Sequence, residues 1–192
     1  MGLAKSSDPT DPNGFTRLSE PILRPDDEDS REEEKTTLYK SFLFEDPLGT
    51  TGHKYVNAYN AKGADYHERI MLAVSDDGEH WERYGNRAVI DVRKFDPQNL
   101  ICGDPQIMLI DGIYVMFFFR YSEGKPAYNT FACSRDLMNW NIWDGEPLIK
   151  SEYEWEKYNA HKTWFVRYGG VNYHFYCACA DNERFIALAG SE

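Results

Sequence analysis

From residue 38 onward the apolar positions fall in short runs divided by turn residues. The runs KYVNAYNA (54–61), IYVMFFFR (113–120) and NYHFYCAC (172–179) are alike, and Tyr55, Tyr114 and Tyr173 within them lie 59 and 59 residues apart. RIMLAVSDDGEHW (69–81) aligns with TFACSRDLMNW (130–140), so that Ser75 and Ser134, and Trp81 and Trp140, repeat at the same period. RFIALAGS (184–191) is a third copy, and NRAVID (86–91) matches GEPLIK (145–150). No stretch holds apolar residues at helical spacing, and DG (111–112) and GG (169–170) are two-residue hairpin signals. The pattern predicts an all-β chain.

Each unit opens with a further apolar run: LYKSFLF (38–44), PQIMLI (105–110) and TWFVRY (163–168). Four short antiparallel strands repeated at this length are the signature of β-propeller blades. The expected blades are residues 38–92, 102–150 and 160–192, the third without its outer strand. A polar segment, 1–37, precedes them, with one strand near 15–25 (FTRLSEPILRP) that could supply that missing outer strand. The run DDEDSREEEK (26–35) reads as a solvated connection. Propellers carry four to eight blades. Three blades therefore imply part of a larger ring, five-bladed in the parent fold, or a ring completed by another copy of the chain.

Composition narrows the partners. A chain of 192 residues with 42% hydrophobic and 15% aromatic residues can bury a substantial core. A net charge of −11 repels phosphate backbones and argues against nucleic acid, whereas it suits a neutral ligand such as a sugar. No apolar run approaches the ~20 residues of a membrane span. The start MGLAKSSDPT lacks a signal-peptide core and points to the cytoplasm; it also fits the short myristoylation pattern, which an ordinary start or a tag explains as well. Cys102, Cys133, Cys177 and Cys179 show no zinc spacing and have no histidine cluster beside them in the sequence, so free buried thiols, no metal and no cofactor are expected. Cys177 and Cys179 would share one face of a strand. Trp81 and Trp140, fixed in the repeat, read as packing residues.

In an antiparallel blade, the starts of the first and third strands and the end of the second lie on one face of the ring, and first strands line the channel. Those places hold Lys40, Asp104, His161 and Lys162, then Asn57, Asn60, Asp65, Glu68, Arg120 and Glu123. Each has a plainer reading. Asp104 before Pro105 opens a turn, His161 can satisfy a neighbouring carbonyl, Lys162 can reach out to water, and Glu68 can be a solvated loop residue.

At GDPQI (103–107), DLMNWNIWDGEPLI (136–149), NAHKTWF (159–165) and YHFYCAC (173–179) the chain resembles the five-bladed propeller glycosidases near families 43, 117 and 130. The resemblance implies a carbohydrate substrate in a central funnel and hydrolysis of a terminal sugar. It places Asp104 at the aspartate of the family's "DP" motif, a transition-state stabiliser, and His161 where the next blade carries its acid. Imidazole, ordinarily titrating near 6.5, can serve as an acid at neutral pH. TTLYKSFLF (36–44) has no inward carboxylate, so the base would be Glu68, or Asp65, from a neighbouring loop. Lys40, Asn60, Arg120 and Lys162 would contact hydroxyls or a uronic carboxylate. Two rival functions stand beside this one: a non-catalytic sugar-binding propeller, and a phosphorylase like family 130 holding phosphate through Lys162 and Arg120.

Overall fold

The computed structural model describes residues 1–93 and 95–191; residue 192, the last of the third expected blade, lies outside them. Three successive units of antiparallel strands follow a short two-stranded sheet made of β1 (Ala4–Lys5) and β2 (Thr16–Arg17). The first unit contains β3 (Thr37–Glu45), β4 (Tyr55–Lys62), β5 (Glu68–Ser75) and β6 (Glu82–Tyr84). The second contains β7 (Asn99–Ile110), β8 (Ile113–Ser122), β9 (Tyr128–Ser134) and β10 (Asn141–Ile142), and the third β11 (Asn159–Tyr168), β12 (Val171–Ala180) and β13 (Glu183–Ser191). Within each unit neighbours in sequence are neighbours in the sheet. The chain is all-β, with the meandering four-stranded blade expected from the repeat.

Local chemistry sets the hairpins. At Asp111–Gly112 φ is 49° and 76°, and at Gly169–Gly170 it is 59° and 83°. Two successive positive φ values match the twist of paired strands, which is why glycine and aspartate stand there. The Ser-x-Asp stretches close the third strands alike. The Oγ of Ser75 accepts from Gly78 N (2.8 Å) and that of Ser134 from Leu137 N (2.9 Å). Trp81 Nε1 then donates to Gly78 O and Trp140 Nε1 to Leu137 O. Both tryptophans pack partly buried against core clusters, as the repeat implies.

Successive blades join at equivalent places. Glu68 at the start of β5 pairs in parallel with Ile101 of β7, and Ala127 bridges in parallel to Asn159 of β11. Between the first two blades lies the main core, with Val56, Ile70, Leu72, Ile90, Met116 and Phe118 at its heart. Between the second and third, Phe117 and Phe165 stack at 4.2 Å and 7°, and Gln106 Nε2 donates to Phe165 O (2.7 Å).

Two expectations for residues 1–37 are corrected. The 15–25 segment contributes only Thr16–Arg17, paired with β1, so it does not complete the third blade, whose sheet holds β11, β12 and β13. The acidic run is not a solvated connection throughout. Glu32–Glu34 form a 3-10 turn, and Glu34 is fully buried. Its carboxylate accepts from Tyr59 Oη, Arg31 Nη1 (3.0 Å) and Arg83 Nε (2.6 Å). Glu156, buried in the equivalent turn before β11, accepts from Tyr176 Oη (2.8 Å). Burial of a carboxylate is tolerable because each oxygen has a donor.

Candidate functional site

The first strand of every blade carries a bulge in its pairing with the second: between Tyr39 and Phe42, between Gly103 and Gln106, and between His161 and Trp164. Inside each bulge one non-glycine residue adopts the left-handed conformation: Lys40 (φ 54°), Asp104 (54°) and Lys162 (60°). A bulge re-aims the side chain it contains, and three such backbones each cost of order 1–3 kcal/mol unless their surroundings hold them. The three side chains converge. Lys40 Nζ lies 2.7 Å from Asp104 Oδ1, in an ion pair whose angle falls outside hydrogen bonding, and Lys162 Nζ lies 3.4 Å from Asp104 Oδ2. Both ammonium groups also sit over the Phe119 ring, at 5.4 and 5.9 Å.

Asn60 fixes this arrangement from the end of β4. It is fully buried; its Oδ1 accepts from the Asp104 backbone N (2.9 Å) and its Nδ2 donates to Glu68 Oε2 (3.2 Å). One amide therefore links the backbone of Asp104 to the carboxylate of Glu68. Tyr39 stands beside them; burial first, and then the neighbouring Glu68, push its phenol well above the ordinary range. Gly103 leaves room for Asn60, since a Cβ there would lie 2.4 Å from Asn60 Nδ2.

These groups border a cleft of about 320 Å³, lined by Lys40, Glu68, Phe119, His161, Lys162 and Arg184 among others. His161 is half-buried, and its Nδ1 lies 3.1 Å from the Cys177 carbonyl. A carbonyl can only accept, so Nδ1 carries the proton and Nε2 the free lone pair. Burial, and next the Lys162 charge, lower its pKa to about 4. In this tautomer Nδ1–H is the donor to the carbonyl and Nε2 the acceptor.

Of the expected site residues, Lys40, Glu68, His161 and Lys162 line this cleft, and Asp104 and Asn60 stand behind them, bonded to Lys40, Lys162 and Glu68. Arg120 does neither. On β8 the alternation turns Phe119 and Tyr121 to the cleft, while Arg120 bonds Asp96 (3.1 Å) and lies over the Tyr128 ring. Asp65 is likewise engaged elsewhere, with Arg69 (2.6 Å) and Arg93 (2.9 Å). Tyr39, Phe119 and Arg184 were not foreseen. Tyr39 had a signal in the sequence, its place next to Lys40; Phe119 and Arg184 had none. Strand pairing also overturns the absence of a histidine near the cysteines: His161 stands in register with Cys177, and ligand atoms of His161, Cys177 and Cys179 lie within 4.8 Å of one another.

No protein-family model matches the sequence, and no curated protein does. Solved structures do. One described as a glycoside hydrolase is 36% identical and superposes with a TM-score of 0.86 over 100% of this chain and 56% of its own. Another, described as a complex with RGII, gives 36%, 0.85, 100% and 56%. A structure from work on the GH130 family of mannoside phosphorylases, which contains glycoside hydrolases targeting β-1,2 mannosidic linkages in Candida mannan, is 20% identical with a TM-score of 0.64 over 92% of this chain and 50% of its own, and shares the fold. The chain therefore spans little more than half of the first two structures, 56% of each, and over its whole length it is similar to the propeller-fold glycoside hydrolases.

Proposed function

We propose that this chain forms the sugar-binding centre of a glycoside hydrolase that releases a terminal sugar from an oligo- or polysaccharide. The observation that carries this reading is the meeting of three bulged residues, one from each first strand, with Lys40 and Lys162 both on the Asp104 carboxylate and Glu68 tied to the Asp104 backbone through Asn60. Glycosidic cleavage uses two carboxyl groups flanking the bond, one to transfer a proton and one to oppose the developing positive charge. Asp104, held between Lys40 and Lys162, is the fixed charge. Glu68, with one donor from Asn60 and a place on the cleft wall, transfers the proton, with His161 beside it on the same wall. Asn60 positions both. Lys40, Lys162 and Arg184 reach sugar oxygens or a uronic carboxylate, and the Phe119 ring offers an apolar wall.

The test is reducing-sugar release from a saccharide panel headed by RGII and β-1,2-linked mannosides. Asp104→Asn and Glu68→Gln should each lower kcat by about 10²- to 10⁴-fold. Full rates in both variants would overturn the assignment. A phosphorolytic reading is favoured by the three cations of the cleft, with Arg184 in the place expected of Arg120; it requires turnover to depend on added phosphate. Saccharide binding by calorimetry without turnover would instead mean a non-catalytic module.

A further inference from the structure

We propose that His161, Cys177 and Cys179 form a binding site for a borderline-soft divalent cation, zinc above all, in the wall of the cleft. The sheet builds the site. Cys177 and Cys179 are two apart on β12 and present both sulfurs on one face, with Sγ atoms 3.9 Å apart. His161, from β11, is directly opposite Cys177 in the ladder. All three ligand atoms lie within 4.8 Å of each other.

Coordination geometry can be checked against those distances. A tetrahedral zinc with Zn–S near 2.3 Å and Zn–N near 2.0 Å sets sulfur–sulfur edges of about 3.8 Å and sulfur–nitrogen edges of about 3.5 Å. The two sulfurs already stand at that spacing, and the imidazole needs to close by about 1.3 Å at most. Donation from Nδ1 to the Cys177 carbonyl orients the ring and leaves Nε2 unprotonated, the outer-shell support that metal-bound histidines use. Two thiolates and a neutral imidazole balance a doubly charged ion, so the nearby Lys162 and Arg184 are not repelled by a net charge. Ions that require oxygen ligands find none in this set.

Cys102 shows what plain packing looks like. Cys102 is completely buried in the main core, whereas Cys177 is partly exposed and adjoins a residue of the cleft. With three protein ligands, the fourth position is left to water or to a ligand entering from the cleft, as in zinc sites that keep one coordination place open. The cation site does not depend on the glycosidase reading, and either can fail without the other.

The test uses the reduced, metal-free chain titrated with cobalt(II), then zinc. The expected result is one cobalt per chain, with the intense visible bands of a tetrahedral ion and sulfur-to-cobalt charge transfer, bleached by one equivalent of zinc. Cys177→Ser and Cys179→Ser should lose these bands, and Cys133→Ser should keep them. A second readout needs no variant: zinc at ten times its Kd should slow iodoacetamide labelling of Cys177 about tenfold and leave Cys133 unchanged. A weak octahedral spectrum, bands that survive Cys177→Ser, or labelling indifferent to zinc would each overturn the site.

Discussion

Gly103→Ala isolates the contact that ties the Asp104 backbone to the Glu68 carboxylate. The backbone at Gly103 does not demand glycine, since its φ is not positive; what demands it is Asn60. An added Cβ would stand 2.4 Å from Asn60 Nδ2 and 3.2 Å from the Phe119 ring, against an ordinary contact of 3.4 Å or more. The amide must therefore withdraw by about 1 Å, the difference between those distances. Asn60 is fully buried with both polar ends in use, so withdrawal stretches its bonds to Asp104 N and Glu68. Overpacking costs about 1–3 kcal/mol, and a weakened buried hydrogen bond about 1–3 more, so a loss of roughly 2–6 kcal/mol is expected. Urea unfolding measures it, with Gly190→Ala as the control: the nearest atom there is 3.8 Å away, and its effect should stay within about 0.5 kcal/mol. In an Asn60→Ala background the clash disappears and the cost of Gly103→Ala should shrink, a coupling that a double-mutant cycle reads directly. A loss below about 0.5 kcal/mol in the wild-type background, or strict additivity with Asn60→Ala, would refute the mechanism.

Two further outcomes concern stability. His174 is buried against Phe117 and Phe165, with Nε2 at 2.6 Å from Thr163 Oγ1, and burial lowers its pKa from 6.5 to about 4. The unfolded chain binds this proton more readily, so its contribution is intact above pH 6.5, falls by up to roughly 3 kcal/mol as pH drops to about 4, and is flat below. Urea midpoints across that window should show a slope that His174→Gln flattens; identical slopes would exclude the residue as its source. Glu34→Ala removes the acceptor shared by Tyr59, Arg31 and Arg83 and leaves two nearly buried guanidinium groups short of a partner. About 3 kcal/mol should be lost, and Glu34→Gln should recover part of it; a change within about 0.5 kcal/mol for Glu34→Ala would mean that Asp27 and Asp29 suffice for Arg83.

Periodicity and turn chemistry made the blades legible in the sequence. Strand alternation fixes which side chains share a face, and paired positive-φ hairpins need Asp-Gly or Gly-Gly, so both leave marks that can be counted. Those local rules also place Asp104, His161, Lys162 and Lys40 near one end of the inner strands. They do not place Arg120 correctly, because a one-residue difference on a strand reverses the face, and the repeat alone does not say which face looks into the cleft. The equivalence of Lys40, Asp104 and Lys162 was hidden for a different reason. The first blade joins its first two strands through a long loop, 46–54, where the others use two residues, so Lys40 falls well out of the 59-residue register, 64 residues before Asp104. Only the assembled sheet shows that these three backbones bulge alike and meet at one carboxylate. Burial of Glu34 in an acidic run, and the meeting of His161 with Cys177 and Cys179, were settled the same way: by partners that are distant in sequence and come together only through strand pairing and packing. What the chain determines by itself is the order of its elements and the faces they bury; which polar groups meet at the centre is decided by tertiary structure, because contacts across blades carry no local signature.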